Sequence, residues 1–186
     1  MEETSRLFIA LVLPGEVKRH LAKGCSMLKE KWKFSRWVHP DDYHITLYFL
    51  GDVSEKKKGQ IVDTLHTCSA KSGSFSLNLA GLGTFGQKRQ PRVLWAGVSG
   101  DLASLHTLQG RVTEAVRSLG FLPEKRAYCP HITLARKCQS RDFLLSPEAN
   151  DFFREIRWKA DEIALYETKP GHRPMYETVQ KLKISL

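Results

Sequence analysis

His44-Ile45-Thr46-Leu47 recurs, letter for letter, as His131-Ile132-Thr133-Leu134. Each copy reads as a short strand: Ile45, Leu47 and Phe49 alternate with His44, Thr46 and Tyr48, and Ile132 and Leu134 alternate with His131 and Thr133. Side chains alternate across a strand, so each histidine shares a face with the threonine two residues on, while the aliphatic residues face a core. Each copy thus sets one titratable imidazole beside one hydroxyl. Two such pairs facing each other could hold a phosphate and move protons on both sides of it.

The surroundings of the two motifs repeat as well. Arg6 to Leu13 contains a continuous apolar run that suits a buried strand, and Pro14 suits the first turn of a helix whose stripe is Val17, Leu21, Cys25 and Leu28. A short Trp37-Val38 strand and a turn through Pro40-Asp41-Asp42 lead into the first motif, which Gly51 is expected to end. Ser54 then caps a helix carrying Ile61, Leu65 and Cys68, and Phe75, Leu77 and Leu79 alternate as a strand. The second half keeps that order. Arg92 to Val98 reads as a strand, and Asp101 caps a helix with Leu102, Leu105, Leu108, Val112, Val116 and Leu119 on one stripe, stopped by Gly120. A loop through Pro123 and Pro130 precedes the second motif, and Glu162 to Glu167 reads as a strand.

The interval from Phe8 to His44 equals that from Leu94 to His131 to within one residue, as does His44 to Phe75 against His131 to Ile163. The pattern is that of one strand-helix-strand-helix-strand unit used twice, over approximately 6–80 and 92–168, within a single domain of 186 residues. The pattern leaves exchange of strands between the two lobes open. The Gly86-to-Pro91 stretch reads as a loop between the halves, Phe143 to Phe153 has no clear assignment, and Met175 to Ser185 supplies a final strand after the Lys169-Pro170-Gly171 turn. A pseudo-two-fold axis relating the halves would set His44 and His131 on opposite walls of a central groove.

Composition narrows the setting. Lys and Arg number 29 against 20 Asp and Glu, a net charge of +9, and the basic residues are spread along the chain. Such a surface attracts polyanions, nucleic acid and nucleotides among them, although solubility alone would also explain it. No apolar run approaches a membrane span, and the N-terminus lacks the succession of a secretory signal. Cys25, Cys68, Cys129 and Cys138 form no Cys-x-x-Cys pair, which fits reduced thiols in a cytoplasmic protein.

An imidazole titrates near pH 6.5, so one member of a pair can be neutral while the other is charged. In-line attack on a phosphodiester needs this: a base takes a proton from water, and an acid gives one to the leaving oxygen. Threonine hydroxyls can donate to the non-bridging oxygens, and a guanidinium can balance the transition-state charge. No metal or other cofactor enters this scheme.

These residues resemble the 2H phosphoesterases, defined by two His-x-Thr/Ser-x motifs, and within them the RNA 2′,3′-cyclic phosphodiesterases, also called 2′-5′ RNA ligases. The likeness is carried by Arg6-Leu7-Phe8-Ile9-Ala10, Tyr43 to Gly51, Pro91-Arg92-Val93-Leu94-Trp95 and Pro130 to Arg136. It implies an α+β fold: two pseudo-symmetric lobes, each an antiparallel sheet with outer helices, around a central groove carrying both motifs. It also implies hydrolysis of a terminal RNA 2′,3′-cyclic phosphate, or of nucleotide 2′,3′-cyclic phosphates, to a 2′-phosphate by a monomer. The resemblance makes His44 the proton donor, His131 the proton acceptor, and Thr46 and Thr133 the phosphate ligands. Arg136 matches a family arginine, yet its parity places it with Ile132 and Leu134 on the core side, so it reaches the phosphate only if the strand twists or ends. Arg126, in the loop before the second motif, is a further candidate for the nucleotide or the phosphate. Alternatives are the reverse reaction, 2′-5′ ligation, and a non-catalytic nucleotide- or RNA-binding module, against which the intact histidines argue.

Other residues are read more plainly. His39 to His44 contains metal-ligand types at no ligand spacing and is read as a turn. Cys129 shares the parity of His131, and a thiol nucleophile there would require a depressed pKa, which a sequence does not reveal. His172 and Arg173 are read as surface loop, and Tyr48 and Tyr128 are open between base stacking and core packing.

Overall fold

The computed structural model describes residues 3–154 and 156–184. Two antiparallel sheets make up its centre. One has four strands in the order β3 (His44–Ser54), β1 (Thr4–Val12), β8 (Glu162–Thr168) and β9 (Tyr176–Lys183). The other has five, in the order β2 (Phe34–Trp37), β6 (His131–Cys138), β5 (Gln90–Gly100), β4 (Phe75–Gln87) and β7 (Arg157–Ala160). Helices α1 (Gly15–Lys31), α2 (Glu55–Ala70), α3 (Leu102–Arg117) and α4 (Pro147–Phe152) complete the chain. The fold is α+β with two lobes around a groove, as the family resemblance implies.

The strand order cuts across the two sequence halves. β4, from the first half, lies beside β5 in the five-stranded sheet, and β8, from the second half, lies beside β1 in the four-stranded one. Alternation decides which face of each strand is buried. On β1, Leu7, Ile9 and Leu11 enter the main core, which is continuous between the two sheets and includes the helix stripes of α1, α2 and α3. Phe8 and Ala10 point the other way and join Ala164 and Tyr166 in a small second cluster flanked by Val12 and Tyr176. That cluster floors the groove beneath His44.

Several local expectations need correction. The Gly86-to-Pro91 stretch is no linker: Gln87 pairs with Gln90 in a tight β4–β5 hairpin, with Gly86 at a φ of 98°. Gly51 does not end β3; it sits at a φ of 76° beside a register shift, and the strand continues to Ser54. Ser54 stands at the N-cap of α2 without a side-chain bond, whereas Asp101 does accept the Ser104 N–H at 3.0 Å. Pro14 stands one position before α1, and α3 ends at Arg117, short of Leu119. The short strand before the first motif is Phe34–Trp37 and leaves out Val38. The unassigned Phe143-to-Phe153 stretch contains α4, whose N-cap Ser146 accepts the Ala149 N–H. The last strand ends at Lys183, and Ser185, its expected end, lies outside the described residues.

Candidate active site

The two motifs are built alike. His44 and His131 each begin a strand, and in each the Nδ1 lies 2.7 Å from the carbonyl oxygen two residues back, Asp42 for His44 and Cys129 for His131. A carbonyl only accepts, so Nδ1 carries the hydrogen and Nε2 keeps its lone pair toward the groove. At His44 the Thr46 hydroxyl donates to that nitrogen at 3.0 Å.

A bulge follows each threonine. Tyr48 pairs with Ile9 and Thr46 with Ala10, so Leu47 is the extra residue; Ala135 pairs with Leu94 and Thr133 with Trp95, so Leu134 is. An extra residue in one strand shifts the alternation by one step. Leu47 and Tyr48 are therefore both buried, as are Leu134 and Ala135. Beyond the bulge the fifth residue after each histidine, Phe49 in one copy and Arg136 in the other, returns to the groove. The parity that set Arg136 against the core is thus reversed by the bulge, and the parity that set Phe49 in the core is reversed too.

The groove centre is a cavity of about 140 Å³ lined by His44, Thr46, His131, Thr133 and Arg136, with Phe49 at its edge. All of the sequence candidates except Arg126 meet there. Arg126 lines an adjoining cavity of about 580 Å³ with Gln109, Thr113 and Tyr128, which opens onto the central one past Thr46, Phe49 and His131. Phe49 is half exposed at that junction. The two tyrosines divide: Tyr48 is buried and donates to the Leu122 carbonyl, while Tyr128 donates to the Thr46 carbonyl at 3.0 Å and lines the large cavity.

Aromatic rings back both imidazoles. Phe8 and Tyr176 lie 4.8 and 5.4 Å from the His44 ring, and Phe85 and Trp95 lie 5.1 and 6.1 Å from the His131 ring. Among apolar neighbours the charged form of an imidazole loses hydration. Burial pushes His44 down to about 4, partly offset by its hydrogen bond to Asp42. Burial also lowers His131, and the Arg136 charge lowers it further.

Asp42 is the residue that a local reading of the Pro40-Asp41-Asp42 turn misses. It is buried, its carboxylate accepts the backbone N–H groups of Met175 at 2.8 Å and Tyr176 at 3.0 Å, and its own carbonyl holds His44. It thereby ties the start of β9 to the first motif. No signal in the turn itself points to a partner more than a hundred residues away. Phe49 could have been found, because it and Arg136 follow their histidines at the same interval.

The fold and the two imidazoles lining one small cavity with Arg136 are the arrangement of a phosphoesterase of the two-histidine class. The LigT-like phosphoesterase family matches residues 11–95 and 98–176, and the chain belongs to that family. An RNA 2′,3′-cyclic phosphodiesterase of Geobacillus stearothermophilus is 41% identical over 177 residues, 94% of this chain. The chain spans 56% of that relative's length. A Bacillus subtilis RNA 2′,3′-cyclic phosphodiesterase is 35% identical over 82% of both chains. In fold, E. coli LigT complexed with 3′-AMP superposes with a TM-score of 0.79 at 23% identity, covering 99% of this chain and 100% of that one.

Proposed function

We propose that this chain hydrolyses the terminal 2′,3′-cyclic phosphate of RNA to a 2′-phosphate by general acid–base catalysis. The observation that carries the reading is the pair of inward Nε2 atoms, placed by matching strands around one cavity that also holds Arg136. Water attacks phosphorus as His131 takes its proton; the bond to O3′ breaks as His44 protonates that oxygen. Thr46, Thr133 and Arg136 hold the non-bridging oxygens, where negative charge grows. The larger cavity beside Phe49 takes the nucleoside, with Arg126 on its rim. The wider reading is of one domain with duplicated halves, supported by the matching bulges, acting as a cytoplasmic monomer on RNA ends. No helix among the described residues is long and apolar enough to cross a membrane.

Burial sharpens the pH requirement. Ordinary imidazoles would place the limbs of kcat/KM around neutrality, but both groups are lowered in the free protein, so those limbs move to lower pH. A bound phosphate anion between the rings favours their charged forms and moves the limbs of kcat back upward. His44, the more depressed of the two, depends on that anion to act as the acid.

The test is incubation with a nucleoside 2′,3′-cyclic phosphate, with identification of the product isomer. His44→Ala and His131→Ala should each lose roughly 10²- to 10⁴-fold in turnover, because each removes one proton transfer. A substrate with a much more acidic leaving group at the 3′ position needs no acid, so it should rescue His44→Ala and leave His131→Ala slow. Rescue of His131→Ala instead would exchange the two roles. Near-wild-type turnover by either variant on the natural substrate would sink the mechanism.

A further inference from the structure

Arg36 on β2 and Arg136 on β6 are direct cross-strand partners and therefore share a face. Like charges at such positions repel and weaken a sheet. Among the described residues no carboxylate lies within ion-pair reach of either, or of Arg173. Among the described residues the Arg36 guanidinium meets only the Met175 sulfur, at 3.9 Å, as a side-chain hydrogen-bond acceptor. Arg136 is accounted for by the central cavity. Arg36 is not.

Arg36 lines a separate cavity of about 260 Å³ together with His39, His172 and Arg173. This cavity meets the central one at Val38, Asp42 and Tyr176, on a different side from the large nucleoside cavity. Its one carboxylate, Asp42, already accepts two backbone N–H groups. Two solvent-exposed guanidiniums and two imidazoles, one of them with the Asp41 carboxylate 3.7 Å away, thus line a hollow that opens onto the phosphate position, and among the described residues no carboxylate pairs with either arginine. Arginine is the side chain best shaped for a phosphate, through its planar fork of donors.

We propose that this hollow is a second phosphate subsite, taking the 5′-phosphate of the nucleotide whose 2′,3′-cyclic phosphate lies between the histidines. The inference rests on the functional reading above. In an RNA end, the phosphate nearest the cyclic one is that on O5′ of the same ribose, which ties the terminal nucleotide to the rest of the chain. The base enters the large cavity past Phe49, and the 5′-phosphate leaves through the other opening toward Arg36 and Arg173. The protein then recognises an RNA end by two phosphates, and a free nucleoside 2′,3′-cyclic phosphate fills only part of the site.

The experiment compares kcat/KM for a nucleoside 2′,3′-cyclic phosphate with that for the same compound carrying a 5′-phosphate. The wild type should favour the 5′-phosphorylated substrate by roughly 10-fold or more, the expected effect of charge-assisted hydrogen bonds. Arg173→Gln and, separately, Arg36→Gln should collapse that ratio toward one, and Arg126→Gln should leave it standing. Turnover of both substrates with equal efficiency by the wild type would overturn the subsite, as would a preference that survives both variants or follows Arg126. Absence of turnover with either substrate in the wild type would instead refute the functional reading itself.

Discussion

Asp42 offers the sharpest test of how this site is held together. Its carboxylate receives two backbone N–H groups, from Met175 at 2.8 Å and Tyr176 at 3.0 Å, and Tyr176 packs edge-on against His44. Hydrogen bonds to a charged partner contribute about 1.5–3 kcal/mol each. Met175 and Tyr176 are only half-buried, so water can partly replace the lost acceptor, and the low end of that range applies. Asp42→Ala should therefore cost about 3 kcal/mol, which for a chain of this size is a fall in Tm of roughly 6–12 °C. Asp42→Asn retains one accepting oxygen and should lose about half as much. Turnover should fall in the same order, because the Asp42 carbonyl still meets His44 Nδ1 in both variants while the β9 start and the Tyr176 ring are released by degrees. Thermal unfolding and kcat, measured on both variants, check this. A Tm within about 2 °C of wild type for Asp42→Ala would refute the latch. A large Tm loss with unchanged kcat would show that it secures β9 without positioning the histidine.

The His44 imidazole should also make the fold sensitive to acid. Its folded-state pKa of about 4 lies below the ordinary value near 6.5, so the unfolded chain binds the proton first and stability falls as pH drops from 6.5 toward 4. Urea unfolding at pH 7 and pH 4.5 should show that loss in the wild type and a smaller one in His44→Gln; equal losses would contradict it. Removing the Arg136 charge relieves one cause of the low His131 pKa, so Arg136→Gln should shift the His131 limb of kcat/KM to higher pH while lowering kcat/KM overall. An unmoved limb would place Arg136 away from the imidazole. Among the described residues no three side chains of His, Cys, Asp or Glu cluster as metal ligands, so turnover should withstand EDTA. Loss of activity restored by Mg²⁺, Mn²⁺ or Zn²⁺ would require a different mechanism.

Patterns that repeat within a few residues are readable from this chain alone, because the geometry that produces them is local. The alternation of His44, Ile45, Thr46 and Leu47 places imidazole and hydroxyl together whatever the strand pairs with, and the same holds for His131 to Leu134. The stripes of α1, α2 and α3 follow from the helical period in the same way, and all three enter the core. Matching intervals around the motifs likewise point to two equivalent walls of one groove. Neither bulge could be read so. A bulge exists only relative to a partner strand, and β1 and β5, the partners of β3 and β6, each lie more than thirty residues away in the chain. Residues past the bulge change face without any change in their own pattern, which is why alternation alone puts Arg136 and Phe49 in the core while both stand in the groove. The neighbours of β4 and β8 were decided in three dimensions too, since an apolar antiparallel strand fits either sheet until both sheets close over one core. Asp42 reaching Met175 and Tyr176, and Arg36 facing Arg136, belong to the same class: contacts between segments far apart in sequence, set by the packing of two lobes that no single segment describes.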